Sequence, residues 1–203
     1  MKLKMKVWSI ALVLISQCAS ANWLNSDNTD AITEGRTISV FSYKYKQDET
    51  IGLRCDVSAE GEEALITFDA DSVLGVPNTQ VDMFVKVDDN KPIKFRGRLY
   101  SNSYTSGFVR ANDKTESQFN KLVAQMTSGN KAIVKIQNDR RSEIVNFNVS
   151  LSGFTAKSKK VLSVCKLNSK AIEISAEDKV RLKEINIELE KLGSEKDSIL
   201  SKY

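Results

Sequence analysis

Between residues 37 and 167 the apolar positions recur mostly with a period of two, the mark of strands that bury one face. Ile51, Leu53, Cys55 and Val57 share one parity, and Ala64, Ile66 and Phe68 form a second such run. Val81, Met83, Val85 and Val87 alternate up to a polar Asp88-Asp89-Asn90-Lys91 turn. Ile93, Phe95, Gly97 and Leu99 alternate away from it, giving the strongest hairpin signal in the chain. Gly107-Phe108-Val109, then Ala132, Val134 and Ile136, then Val145, Phe147, Val149 and Leu151 add three more strands. Residues 37–45 are less regular. Ile38 and Val40 take one parity and Phe41, Tyr43 and Tyr45 the other, which predicts a bulge near Val40. Residues 22–36 are polar and turn-rich, and Trp23 reads as a plug that tacks this arm onto the domain.

Three segments change period. In 113–126, Phe119, Leu122, Val123 and Met126 follow helical spacing, and Gly129 stops the run. After a break at Gly153, residues 154–167 read as a short helix carrying Val161, Leu162 and Cys165. The tail is different in kind. Leu182, Ile185, Leu189, Leu192, Lys196, Ile199 and Tyr203 recur at alternating spacings of three and four, a coiled-coil seam interrupted at Lys196. Ser175 with Asp178 resembles a capping box at its start. Val180 and Ile187 lie off the seam. A homodimer seam, docking on a partner helix and packing on the chain's own domain all remain open for Leu182, Ile185, Leu189, Leu192 and Ile199, as does fraying of the helix beyond Gly193. About eight strands and two short helices predict an α+β, mainly β domain with an antiparallel, sandwich-like sheet, to which a C-terminal amphipathic helix is added.

The first residues read as an address. Lys2, Lys4 and Lys6 precede a short apolar run from Trp8 to Ile15, and Ala19-Ser20-Ala21 is a small-x-small cleavage site. That is the pattern of a bacterial secretory signal peptide cut after Ala21, and its apolar run is too short to span a membrane. The expected organisation is therefore a signal peptide over 1–21, a β-rich domain over 22–168 and a helix over 169–203, with no transmembrane segment in the mature chain and a periplasmic or secreted location. Cleavage also removes three lysines, so the formal charge of +4 falls to about +1. A near-neutral chain gives no electrostatic case for nucleic acid.

Two cysteines remain after cleavage, Cys55 and Cys165. In an oxidising compartment such a pair is expected to form one disulfide. The rival, two free thiols in redox use, lacks a C-x-x-C motif. The chain has no histidine, which removes Ser-His-Asp and Cys-His catalysis and every histidine-containing metal site. No glycine-rich phosphate loop is present, and Asp69, Asp71, Asp88 and Asp89 lack the spacing of a calcium loop, so neither cofactor nor metal is expected. Carboxylate-based hydrolysis of envelope glycans stays open only because its two acids can be distant in sequence. Lys94, Arg96 and Arg98 share one strand face and form a candidate surface for an anionic partner. The alternative is a solvated face balanced by cross-strand acids such as Asp82 and Asp88.

Several of these features recur together. Trp23 is followed by Leu53-Arg54-Cys55, the paired acids Asp88-Asp89, the run Phe147-x-Val149-x-Leu151-x-Gly153, and a helix closing on Cys165. This order resembles a group of small exported proteins that includes accessory proteins associated with type VI secretion. The chain departs from the secretion-associated members in carrying Lys166-Leu167-Asn168 where they are expected to have a tryptophan, and in adding the tail helix. The resemblance implies a helper or binding protein with no mapped catalytic site. The expected function is thus a non-enzymatic binding or accessory protein of the bacterial envelope, partnered by another envelope or secreted protein. The alternative is an exported inhibitor or immunity protein acting on a toxin or cell-wall hydrolase.

Overall fold

The computed structural model describes residues 23–44, 46–167 and 176–200. The expected signal peptide and the Ser175 capping residue lie outside the described residues. Nine strands form one continuous antiparallel sheet in the order β1-β2-β3-β4-β7-β6-β5-β8-β9. The strands are β1 (Trp23–Thr29), β2 (Arg36–Ser42), β3 (Thr50–Ser58), β4 (Gly61–Asp69), β5 (Gln80–Val87), β6 (Ile93–Leu99), β7 (Ser106–Arg110), β8 (Lys131–Asn138) and β9 (Ile144–Ser150). Helices α1 (Glu116–Ser128) and α2 (Phe154–Val164) pack on the sheet, and α3 (Ala176–Leu200) follows.

The parities read from sequence set the register. Cys55 stands opposite Ile38 on one side and Ala64 on the other, and Leu53 opposite Val40 and Ile66. These residues, with Met83, Val85, Phe95, Val134 and Phe147, line one buried face. The helices fill that face where a second sheet would stand in a sandwich. Phe119 of α1 meets Phe95 edge-on at 5.6 Å, and Phe154 of α2 meets Trp23 at 4.8 Å. The sheet curls far enough for its two edges to meet. The indole Nε1 of Trp23 in β1 donates to the Ser150 carbonyl in β9 at 2.9 Å. Cys165, just beyond α2, is bonded to Cys55 in β3 across 110 positions of sequence. The disulfide therefore ties the last helix of the domain to the middle of its first four strands.

Two expectations need correction. Residues 23–29 form a strand, paired residue by residue with β2 from Trp23 against Ser42 to Thr29 against Arg36. Apart from exposed Leu24 its outward positions are polar, as suits an edge strand. It is held by its backbone ladder, by buried Trp23, and by Asp27, which pairs with Arg36 of β2 and Lys160 of α2. The second correction is β2, whose ladders run without a bulge. Ile38, Val40 and Ser42 face the core, and Phe41 lies half-buried on the opposite face, so the mixed parity reflects two partly covered faces.

Strand order explains the longest connection. β4 and β5 are adjacent in sequence but are separated in the sheet by β7 and β6. The chain over 70–79 must cross the end of the β6–β7 hairpin, a span of three strand spacings or roughly 14 Å. It is pinned as it crosses. Ala70 N–H donates to Thr105 O at 3.2 Å, Leu74 N–H to Tyr104 O at 2.9 Å and Asn78 N–H to Tyr100 O at 3.3 Å. Gly107 makes the insertion of β7 feasible. A Cβ there would stand 2.4 Å from the Arg98 carbonyl and 2.6 Å from the Phe68 ring. At the far end, Gly153 takes φ +87°, the left-handed region that turns the chain from β9 into α2.

Candidate functional site

The face of the sheet away from α1 and α2 carries the cationic row, and strand pairing decides what each member meets. Lys94 lies opposite Phe84, Arg96 opposite Asp82, and Arg98 between Gln80 and Phe108. Asp82 is nearly buried and takes both neighbours: Lys94 Nζ at 2.9 Å from Oδ2 and Arg96 Nη1 at 2.9 Å from Oδ1. Arg96 also reaches Asp139 at 2.6 Å and donates to the Gln80 side-chain carbonyl at 2.8 and 3.0 Å. Lys94 and Arg96 are thus neutralised within the fold. Arg98 is exposed and makes no ion pair among the described residues. Asp88 serves elsewhere, accepting the backbone N–H groups of Asn130 and Lys131 at 3.0 Å each and so fixing the start of β8.

Burial works to raise the Asp82 carboxyl, but the Lys94 ammonium and Arg96 guanidinium outweigh it and hold the group below the usual carboxylate range. A carboxyl lowered in the folded state contributes stability that is present above its unfolded value and is lost as pH falls through the folded one. Asp82→Asn is expected to cost about 1–2 kcal/mol at pH 7. Its urea midpoint should converge on that of the wild type as the pH falls below about 4. A difference unchanged across that range would contradict this role.

Beyond Arg98 the same face is aromatic. Arg110 pairs with Glu63 at 2.7 Å and lies 5.6 Å from the centre of the Phe108 ring. Tyr100 packs on Phe108 at 5.1 Å, and burial pushes its phenol up. A shallow depression of about 360 Å³ lies among Arg96, Arg98, Phe108 and Arg110, with Gln80 at its border.

Gln80 also borders a larger cleft of about 700 Å³ at the end of the sheet. One wall is the crossing loop and the β6–β7 turn, which present Val73, Val76 and Tyr104 at 60%, 62% and 55% exposure. The other wall is the tip of the β8–β9 hairpin, with Asp139, Arg140, Ser142 and Glu143. Leu74, between the two exposed valines, is fully buried. In the sequence this region reads only as a long connection. Its ten residues carry no motif or period that points to a site, and a connection of that length is only somewhat longer than usual.

The tail seam stands apart from the core. Ile185, Leu189, Leu192 and Ile199 are 44%, 60%, 54% and 57% exposed, and Val180, Ile187 and Leu200 are similarly open. Leu182 belongs to the same stripe by position, but its side chain lies outside the described residues, as does Tyr203. The exposures show that Ile185, Leu189, Leu192 and Ile199, the described apolar members of the seam, are not buried against the sheet domain. No described helix is long and apolar enough to cross a membrane. Among the described residues, no three or more of the acids and cysteines gather as metal ligands.

No family model matches the chain, and no curated protein or solved structure is similar to it.

Proposed function

We propose that the chain is an exported, non-enzymatic binding or accessory protein of the bacterial envelope. The disulfide-closed sheet domain is its rigid body and α3 is its assembly element. One observation carries this: a helix of 25 residues holds the described residues of its apolar stripe open to solvent, in a chain whose sheet domain has a buried core of its own. A stripe of that length is costly to leave in water, and a second helix buries it. Association with a secretion system is the narrower form of the proposal, supported by the resemblance carried by Trp23, Leu53-Arg54-Cys55, the strand ending at Gly153 and Cys165.

The test is the molar mass of the exported protein by light scattering, for the whole chain and for one ending at Asn168. The whole chain should assemble, as a homodimer or with a helical partner, and the shortened one should be a monomer. Equal monomeric masses, with no partner lost on shortening, would remove α3 as the assembly element. The alternative, an inhibitor or immunity protein for a toxin or cell-wall hydrolase, is favoured by the cleft at the sheet end, because loops pinned in advance lose little entropy on binding. Block of a hydrolase by the protein, abolished by substitutions in that cleft, would select it.

A further inference from the structure

We propose that the sheet-end cleft and the Arg98 depression form one groove, which takes an extended segment of a partner protein carrying a large apolar side chain and, within a few residues, a carboxylate. This rests on the binding-protein reading above and gives it a site. The two hollows share Gln80, which stands opposite Arg98 in the β5–β6 ladder, and the Arg96–Asp139 ion pair joins the wall of one to the wall of the other, so they adjoin at a single strand pair. Each end has a distinct chemistry.

On one wall of the cleft the exposed groups are apolar and held in place. Three backbone hydrogen bonds tie the crossing loop to the β6–β7 turn, and the Thr79 hydroxyl donates to the Val76 carbonyl at 2.7 Å. Buried Leu74 anchors the loop from beneath. Val73, Val76 and Tyr104 are therefore held outward by a pinned backbone, which is the condition for a preformed apolar contact. The facing hairpin tip is polar and offers side chains that can meet the backbone of an extended segment.

At the other end the charges are counted out. Arg96 is matched by Asp82 and Asp139, and Arg110 by Glu63. Arg98 points from the same face with no carboxylate against it among the described residues, beside the half-buried ring of Phe108. A guanidinium set next to an aromatic and flanked by matched charges favours an incoming carboxylate. A small enclosed ligand suits the site poorly because both hollows are open.

The experiment uses the whole exported protein and phage-displayed random twelve-residue peptides. Selection should enrich sequences that combine Leu, Ile, Phe or Trp with Asp or Glu. A synthetic peptide from that set should bind about 10- to 100-fold more weakly to Arg98→Glu, the weight of one charge-assisted hydrogen bond, and more weakly to Val76→Asp. Lys135→Glu, on the same face but outside the groove, should leave binding unchanged. All three side chains lie outside the core, and an unchanged urea midpoint confirms that each variant is folded. Absence of enrichment, or enriched peptides indifferent to both groove variants, overturns the proposal. Enrichment of helical sequences resembling α3 overturns it in favour of a second copy of the chain. The binding-protein reading would survive either loss, since its own test is the molar mass and partner of the whole chain.

Discussion

Replacing Cys165 by serine is expected to lower the stability of the sheet domain by about 4–5 kcal/mol, the chain-entropy cost of releasing a loop of this length. The Cys55–Cys165 bond spans 110 positions, and most of the domain, from the middle of β3 to the end of α2, lies between its ends. Cys55 is fully buried between Ile38 and Ala64, while Cys165 follows a helix whose own buried anchors are Phe154, Ser158 and Val161. The loss therefore falls on the unfolded chain, which gains freedom, and on the docking of α2. Urea unfolding followed by circular dichroism checks it, with the midpoint falling by about 2 M. The wild type in reductant should unfold near the variant. A midpoint unmoved by the substitution would mean that the bond contributes nothing to holding α2 on the sheet.

The second large effect is at Trp23. Truncation to alanine should cost about 3–5 kcal/mol, the range for removing a large aromatic from a core. Trp23 is fully buried, contacts the Phe154 ring edge-on and donates its indole N–H to the Ser150 carbonyl, so three separate elements meet on it: β1, α2 and β9. Trp23→Phe keeps most of the apolar volume and leaves the Ser150 carbonyl unmatched, for a loss of about 1–2 kcal/mol. The pair of variants separates packing from hydrogen bonding, and their urea midpoints should rank wild type, phenylalanine, alanine. An alanine variant within about 1 kcal/mol of wild type would show that the edge of the sheet is held by other contacts.

The strands with clean alternation were legible because each has one face on the core and one in water. β3, β5, β6 and β9 stand where the parities of Leu53, Met83, Phe95 and Phe147 place them. β1 was not legible, because an edge strand held by its ladder and one tryptophan has no apolar period to show. Strand order was not legible either. The pairing of β7 with β4, and of β8 with β5, joins segments far apart in sequence, and nothing local encodes it. That order in turn hid the candidate groove. The row of Lys94, Arg96 and Arg98 could be read from parity, and Asp82 as its neighbour. Asp139 could not, because it reaches Arg96 only once β8 lies beside β5. The crossing loop became a wall of a cleft for the same reason. For the tail, the period of α3 was visible, but what covers the seam is a property of an assembly, which a single chain does not encode locally.

The proposed function requires export and closure of the disulfide, and one measurement tests both: the intact mass of the protein recovered from the periplasm of an expressing cell, without reductant. The predicted result is a chain beginning at Asn22 and lighter by the two hydrogens lost when Cys55 and Cys165 join. A protein left in the cytoplasm with residues 1–21 attached, or one exported with both thiols free, would contradict it.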